Sequence, residues 1–209
     1  MSLLSIIIPA YNEGALIQNT ASVVADIMEK HSIDYEIVFV NDGSKDATWD
    51  EIQKAHRNNE KVCGVCFSRN FGKEIAMIAG LDYATGDCVI FMDADLQDPP
   101  ELIPELVKYW EEGYDDVYAR RSSRKGETWL KKFTSKMYYK VLQSLTRVPI
   151  QKDTGDFRLL DRRCVNALRK LRESQRCSKS MFSWIGYNKK EVLYERDPRI
   201  AGKTKWNYR

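Results

Sequence analysis

The chain has 209 residues, 43% of them hydrophobic, which is enough for one sizeable core and short for two full domains. Its formal charge of +3 lacks the global basicity of a nucleic-acid binder, so no nucleic-acid partner is expected, although cations gather in the second half. No apolar run approaches the roughly 18–20 residues of a membrane-spanning helix, and Met1 leads straight into a strand-like segment, so no secretory leader is expected and the chain reads as soluble or peripheral.

In chain order, the first strand-like run is LSIIIPA from Leu4, followed by helical spacing over Ala15 to Lys30. YEIVFVND from Tyr35 and a helix over Asp46 to Asn58 come next. VCGVCFS from Val62 precedes a helix over Gly72 to Ala84, and CVIFMDAD from Cys88 precedes one over Pro100 to Glu112. DDVYAR from Asp115 closes the series. This β-α-β-α order predicts an α/β fold, a mostly parallel sheet with helices on both faces. From Trp129 to Leu145 the apolar positions fall on one helical face with Lys131, Lys132, Lys136 and Lys140 between them, a basic amphipathic helix that either packs on the sheet or lies at a membrane surface.

The five cysteines are odd in number, and three lie in apolar strand-like runs, where a free thiol behaves as a small hydrophobe; a reducing compartment follows. Cys63 and Cys66 form a C-x-x-C, but no second pair follows and neither histidine stands at zinc-ligand spacing.

The predicted strands are almost continuously apolar, as strands buried on both faces should be, and turn polar at their C-terminal ends. Those ends are Tyr11, Asn12 and Glu13; Asn41, Asp42 and Ser44; Arg69 and Asn70; and Asp93 to Asp98. In an open parallel sheet ligands bind outside the carboxyl ends of the strands, so the four clusters are expected to share one crevice. Neither G-x-G-x-x-G nor G-x-x-x-x-G-K-[ST] follows any strand, which argues against dinucleotide oxidoreductases and P-loop enzymes. Asp93-Ala94-Asp95, with Gln97 and Asp98 after it, concentrates hard oxygen donors at a strand end. One or two carboxylates suffice for a divalent cation that also binds a diphosphate. Paired acids at a loop start also serve as caps and solvated turns. Tyr11, Glu13 and Asp42 in the same crevice favour a nucleotide there.

PAYNE (Pro9 to Glu13), NDGSKD (Asn41 to Asp46), RNFGKE (Arg69 to Glu74), MDADLQDPPE (Met92 to Glu101) and DTGDFRLLDRR (Asp153 to Arg163), in this order, resemble family 2 glycosyltransferases of the GT-A fold. The likeness spans nearly the whole chain and points to the polyprenyl-phosphate sugar transferases, of the dolichyl-phosphate mannose synthase and bactoprenol glucosyltransferase type. It implies a single GT-A domain over residues 1–209, with a nucleotide-sugar-binding half (1–120) and an acceptor-binding, membrane-facing half (121–209).

The resemblance implies Asp95 and Gln97 as ligands of Mn²⁺ or Mg²⁺, with Asp93 shared between metal and nucleotide. Pro9, Tyr11, Glu13 and Asp42 would contact the nucleoside, with Arg69 and Lys73 flanking the pocket. Asp95 and Asp156 would form the catalytic centre. A phosphate monoester is largely anionic at pH 7, so Asp156 is expected to orient a substrate as readily as to take a proton. Arg120, Lys132, Ser135, Arg199 and Lys203 would hold the acceptor phosphate.

The implied partners are a UDP-sugar donor, ahead of a GDP-sugar, a polyprenyl phosphate and a membrane surface. The implied place is the cytoplasmic face of a membrane, the bacterial inner membrane first. RIAGKTKWNYR, from Arg199, resembles the segment that precedes transmembrane helices in such proteins, so helices removed by truncation are expected beyond it, as is association into a homo-oligomer. A family 2 transferase acting on a saccharide hydroxyl and a non-catalytic nucleotide-sugar scaffold are the alternatives.

Overall fold

The structure, a computed structural model, describes residues 2–121, 154–171 and 178–194. The helix expected from Trp129 and the residues Lys132, Ser135, Cys177, Arg199 and Lys203 lie outside them.

Seven described strands form one sheet: β1 (Leu3–Ala10), β2 (Asp34–Asn41), β3 (Val62–Cys66), β4 (Cys88–Phe91), β5 (Asp116–Arg121), β6 (Thr154–Asp161) and β7 (Lys189–Tyr194), in the order β3-β2-β1-β4-β6-β5-β7. The helices are α1 (Gly14–Lys30), α2 (Thr48–Asn58), α3 (Lys73–Tyr83), α4 (Ile103–Glu111, entered by a 3-10 turn over Pro100–Leu102), α5 (Arg162–Lys170) and α6 (Ser178–Trp184). Every strand pair is parallel except the two made by β6, which runs antiparallel between β4 and β5. None of the described helices is long and apolar enough to cross a membrane.

Alternation along the central strands builds two cores. Leu4, Ile6, Ile8, Ile37, Phe39 and Ile90 face α1, α2 and α4, while Ile7, Val38, Val40, Val89 and Phe91 face α3, α5 and α6. With both faces covered, β1, β2 and β4 read as nearly continuous apolar runs, interrupted inside β1 by Ser5 and inside β2 by Glu36. β3 departs from this expectation. It is the sheet edge, with Cys63, Gly64 and Cys66 exposed, whereas Cys88 and Cys164 are buried. A strand with one neighbour keeps part of its surface in water even when its sequence is apolar.

Sheet order reverses at β1, whose neighbours are β2 on one side and β4 on the other. The crevice beyond the carboxyl ends of β1 and β4 is therefore the topological switch point, where open α/β sheets bind ligands.

Candidate active site

A cavity of about 340 Å³ occupies that crevice. Pro9, Ala10, Tyr11 and Glu13 line it from the end of β1, Asp42 from the end of β2, and Asp93, Ala94 and Asp95 from the end of β4. Asn70, Gly72 and Lys73 line it from the turn into α3. The polar strand ends expected to converge do so.

The loops after β1 and β2 are laced together. Asn12 donates its backbone N–H to Ser44 Oγ (2.9 Å) and its side-chain oxygen accepts from Lys45 N (2.8 Å). Glu13 N donates to Thr48 Oγ1, and Gly14 N to Asp46 Oδ2, so the start of α1 is capped by the turn that starts α2. Gly43, in the left-handed region, packs so tightly that a Cβ would lie 2.1 Å from the Arg69 carbonyl carbon; any side chain here would push the loop after β2 away from the segment after β3.

Asp42 is 3% exposed and organises the loop before α3. Its Oδ1 accepts from Phe71 N (2.7 Å), and its Oδ2 accepts from Gly72 N and Asn70 Nδ2 (both 2.9 Å). Three donors on one buried carboxylate fix the segment that delivers Lys73 to the cavity.

The Asp93–Asp98 turn is held from several sides. Thr20 of α1 donates to Ala94 O (2.8 Å), Gln97 N to Asp95 Oδ1 (3.2 Å), and Tyr194 of β7 to Asp98 Oδ1 (2.5 Å). Asp98 is thereby turned inward, away from the hard-donor cluster that the sequence places it in. Leu96 has φ 53°, a conformation costly for a bulky side chain, and this turn is where the chain accepts it.

β6 completes the site. β4 and β6 pair with Phe91 opposite Arg158 and Ile90 opposite Leu159. Continuing that register past the end of β4 sets Asp93 across from Asp156, on the sheet face that carries α3. Lys73 enters between them, its Nζ 2.6 Å from Asp93 Oδ1 and 2.7 Å from Asp156 Oδ2. Burial pulls this lysine toward the neutral form, but the two carboxylates outweigh it and hold the ammonium charged well above the ordinary lysine range.

Of the other expected residues, Arg69 and Gln97 do not line the cavity. Arg69 lies over the Phe71 ring, 4.0 Å from its centroid, and donates to Asn70 O. Arg120 of β5 pairs with Glu191 Oε1 (3.1 Å), beyond β6. The last part of DTGDFRLLDRR is structural: Asp161 caps α5 by accepting from Arg163 N (2.8 Å), and Arg162 donates to Gly86 O. Two features went unread in the sequence, Asp42 as organiser of the 70–72 turn and Lys73 as bridge. The only signal for either was the order N-F-G-K after a strand.

The sequence pattern described as Glycosyl transferase family 2 matches residues 5–169. An uncharacterized glycosyltransferase of Synechocystis is 53% identical over 205 residues, 98% of this chain and 64% of that protein. A prophage bactoprenol glucosyl transferase homolog of Escherichia coli is 42% identical over 204 residues, 98% of this chain and 67% of that protein. The chain thus spans about two thirds of the length of these relatives. Among solved structures, a mannosyltransferase from Pyrobaculum calidifontis in complex with GDP-Man and Mn²⁺ superposes with TM-score 0.59 at 19% identity, over 91% of this chain and 54% of that one. The fold is GT-A.

Proposed function

The chain belongs to glycosyl transferase family 2, and from that membership we propose that it transfers a sugar from a UDP-sugar to the phosphate of a polyprenyl carrier, inverting the anomeric carbon. The reading rests above all on one observation: Asp93 and Asp95, at the nucleotide wall, stand in one cavity with Lys73, which reaches Asp156 on the opposite strand. Glucose and N-acetylglucosamine are the favoured sugars, and for glucose a 42% identical relative is named a bactoprenol glucosyl transferase homolog.

Tyr11 offers a ring for the base to stack on, and Pro9, Glu13 and Asp42 supply the remaining wall of the nucleoside pocket. Asp93 and Asp95 fit Mn²⁺ or Mg²⁺. They are hard oxygen donors one residue apart that line the same cavity, so an ion held here would need phosphate oxygens and water to complete its shell. When bound, the cation offsets the charge that develops on the departing nucleoside diphosphate. Gln97, on the same turn but outside the cavity lining, would join this set only by turning toward the ion.

A carrier phosphate is already largely anionic at neutral pH. Asp156, paired with an ammonium, is better placed to orient the sugar and acceptor than to remove a proton. Arg120, with Lys132, Ser135, Arg199 and Lys203, would receive the acceptor phosphate at the cytoplasmic face of a bacterial inner membrane.

The test is release of nucleoside diphosphate by the purified protein with Mn²⁺, undecaprenyl phosphate and a panel of UDP- and GDP-sugars. UDP-glucose or UDP-N-acetylglucosamine should be consumed only when the lipid phosphate is present. Turnover with soluble saccharides instead would establish the hydroxyl-acceptor alternative, and silence with every donor would refute the proposal.

A further inference from the structure

We propose that Lys73 is a built-in counter-cation of the donor site, one that competes with a divalent ion for Asp93 until a nucleoside diphosphate arrives to receive it. The inference rests on the metal and diphosphate reading of Asp93 and Asp95 given above.

Asp93 follows β4 and Asp156 lies on its antiparallel neighbour β6, both in contact with one ammonium, so without a cation between them their charges repel. Lys73 supplies that cation at contact distance to both, 2.6 and 2.7 Å. Its placement is built rather than incidental. Asp42 pins the Phe71 and Gly72 backbone, and Gly72, with φ 99°, turns the chain so that α3 begins at Lys73.

A divalent ion on Asp93 would share that carboxylate with the ammonium already on Oδ1. Two cations on one carboxylate repel, so the bare ion meets an occupied and partly neutralised site. A nucleoside diphosphate changes the balance, because its anionic oxygens give the ammonium a new partner and the ion additional ligands. Ion and nucleotide should therefore bind cooperatively, each removing an obstacle to the other. Lys73 would then remain within reach of both Asp156 and the diphosphate, linking donor arrival to the carboxylate on the acceptor side.

Mn²⁺ binding, followed by the electron paramagnetic resonance of the free ion with and without UDP, tests this without any turnover. Wild type should bind Mn²⁺ weakly alone and at least about tenfold more tightly with saturating UDP. Lys73→Met should bind Mn²⁺ alone at least about tenfold more tightly than wild type, and the gain on adding UDP should shrink by a similar factor. Lys73→Gln, which keeps a polar head without the charge, should behave like the methionine variant.

Folded variants with unchanged or weaker affinity for Mn²⁺ alone would overturn the proposal. So would a wild type that binds the ion equally well with and without UDP, a result that needs no variant to fold. Failure of wild type to bind Mn²⁺ even with UDP present would instead remove the metal reading itself, and the inference with it.

Discussion

Strand β6 carries two charged residues on one face of the sheet, Asp156 and Arg158, and their surroundings differ sharply. Asp156 meets Lys73, which lines the cavity with a side chain 42% exposed, and through it Asp93. Arg158 meets Asp116 of β5 at 3.0 Å with both side chains at 0% exposure, Lys189 Nζ 3.6 Å from the same carboxylate and the Phe182 ring 4.1 Å from the guanidinium. Arg158 and Asp116 are closed off from solvent, and their charges have fixed partners. The outer cluster opens on solvent, so a ligand can replace one of its partners. A single strand thus anchors itself with one ion pair and leaves the other open to solvent.

The inner pair is the costlier of the two to disrupt. Arg158→Met strands Asp116 in the core, and removal of one partner of a buried pair costs about 3–5 kcal/mol, with the lower part of the range expected because Lys189 stays near. Chemical denaturation should show this as a lowered midpoint with unchanged slope. Adding Asp116→Leu should recover much of the loss, because an apolar pair of similar volume is often as stable as the ion pair it replaces.

Asp156→Asn should act on the opposite quantity, leaving the denaturation midpoint near wild type while lowering kcat about 10²- to 10³-fold, as the loss of a preorganised electrostatic contact does. Near-normal turnover at saturating donor and acceptor would exclude both the orienting and the basic role for this residue.

A third change lies between the two regions. Asp42→Asn leaves one oxygen to serve three donors, so a backbone N–H of Phe71 or Gly72 loses its acceptor, at about 1–3 kcal/mol. Because that turn delivers Lys73, donor KM should rise together with the drop in stability. A stable variant with unchanged KM would show that Lys73 finds its place without this turn.

The site was legible where the fold repeats a simple rule. β1, β2 and β4 are doubly covered, so their apolar runs end abruptly and their polar ends mark the crevice. β6 went unread as a strand although TGDFRLLD alternates Phe157 and Leu159 with Asp156 and Arg158, the period of a strand with one apolar face. Nothing local reveals that Arg158 is buried against an aspartate 42 positions away. Lys73 as a bridge was hidden for the same reason: its two partners become neighbours only through the antiparallel register of β4 and β6. Edge strand β3 misled in the opposite direction, its apolar VCGVC lying half in water.

The mildest test concerns Asp161, at the far end of β6 from Asp156. Desolvation works to raise its carboxyl, but hydrogen bonds from the Trp110 indole (2.9 Å) and from the Arg163 backbone and side chain outweigh this, and the group is held below the ordinary carboxylate value of about 3.9. A carboxylate depressed in the folded state contributes stability above its unfolded pKa and loses that contribution as pH falls through the folded value. Asn caps a helix about as well as Asp, so Asp161→Asn isolates the charge. At neutral pH the variant should be less stable by about 0.3–1 kcal/mol, the usual worth of a negative charge at a helix N-terminus. Thermal melts taken downward from pH 6 should show the two proteins converging only below about pH 4, where Asp161 begins to take up its proton. A difference that stayed constant through that range would mean that Asp161 serves α5 through its cap geometry alone, and that charge on β6 matters only at the two clusters above it.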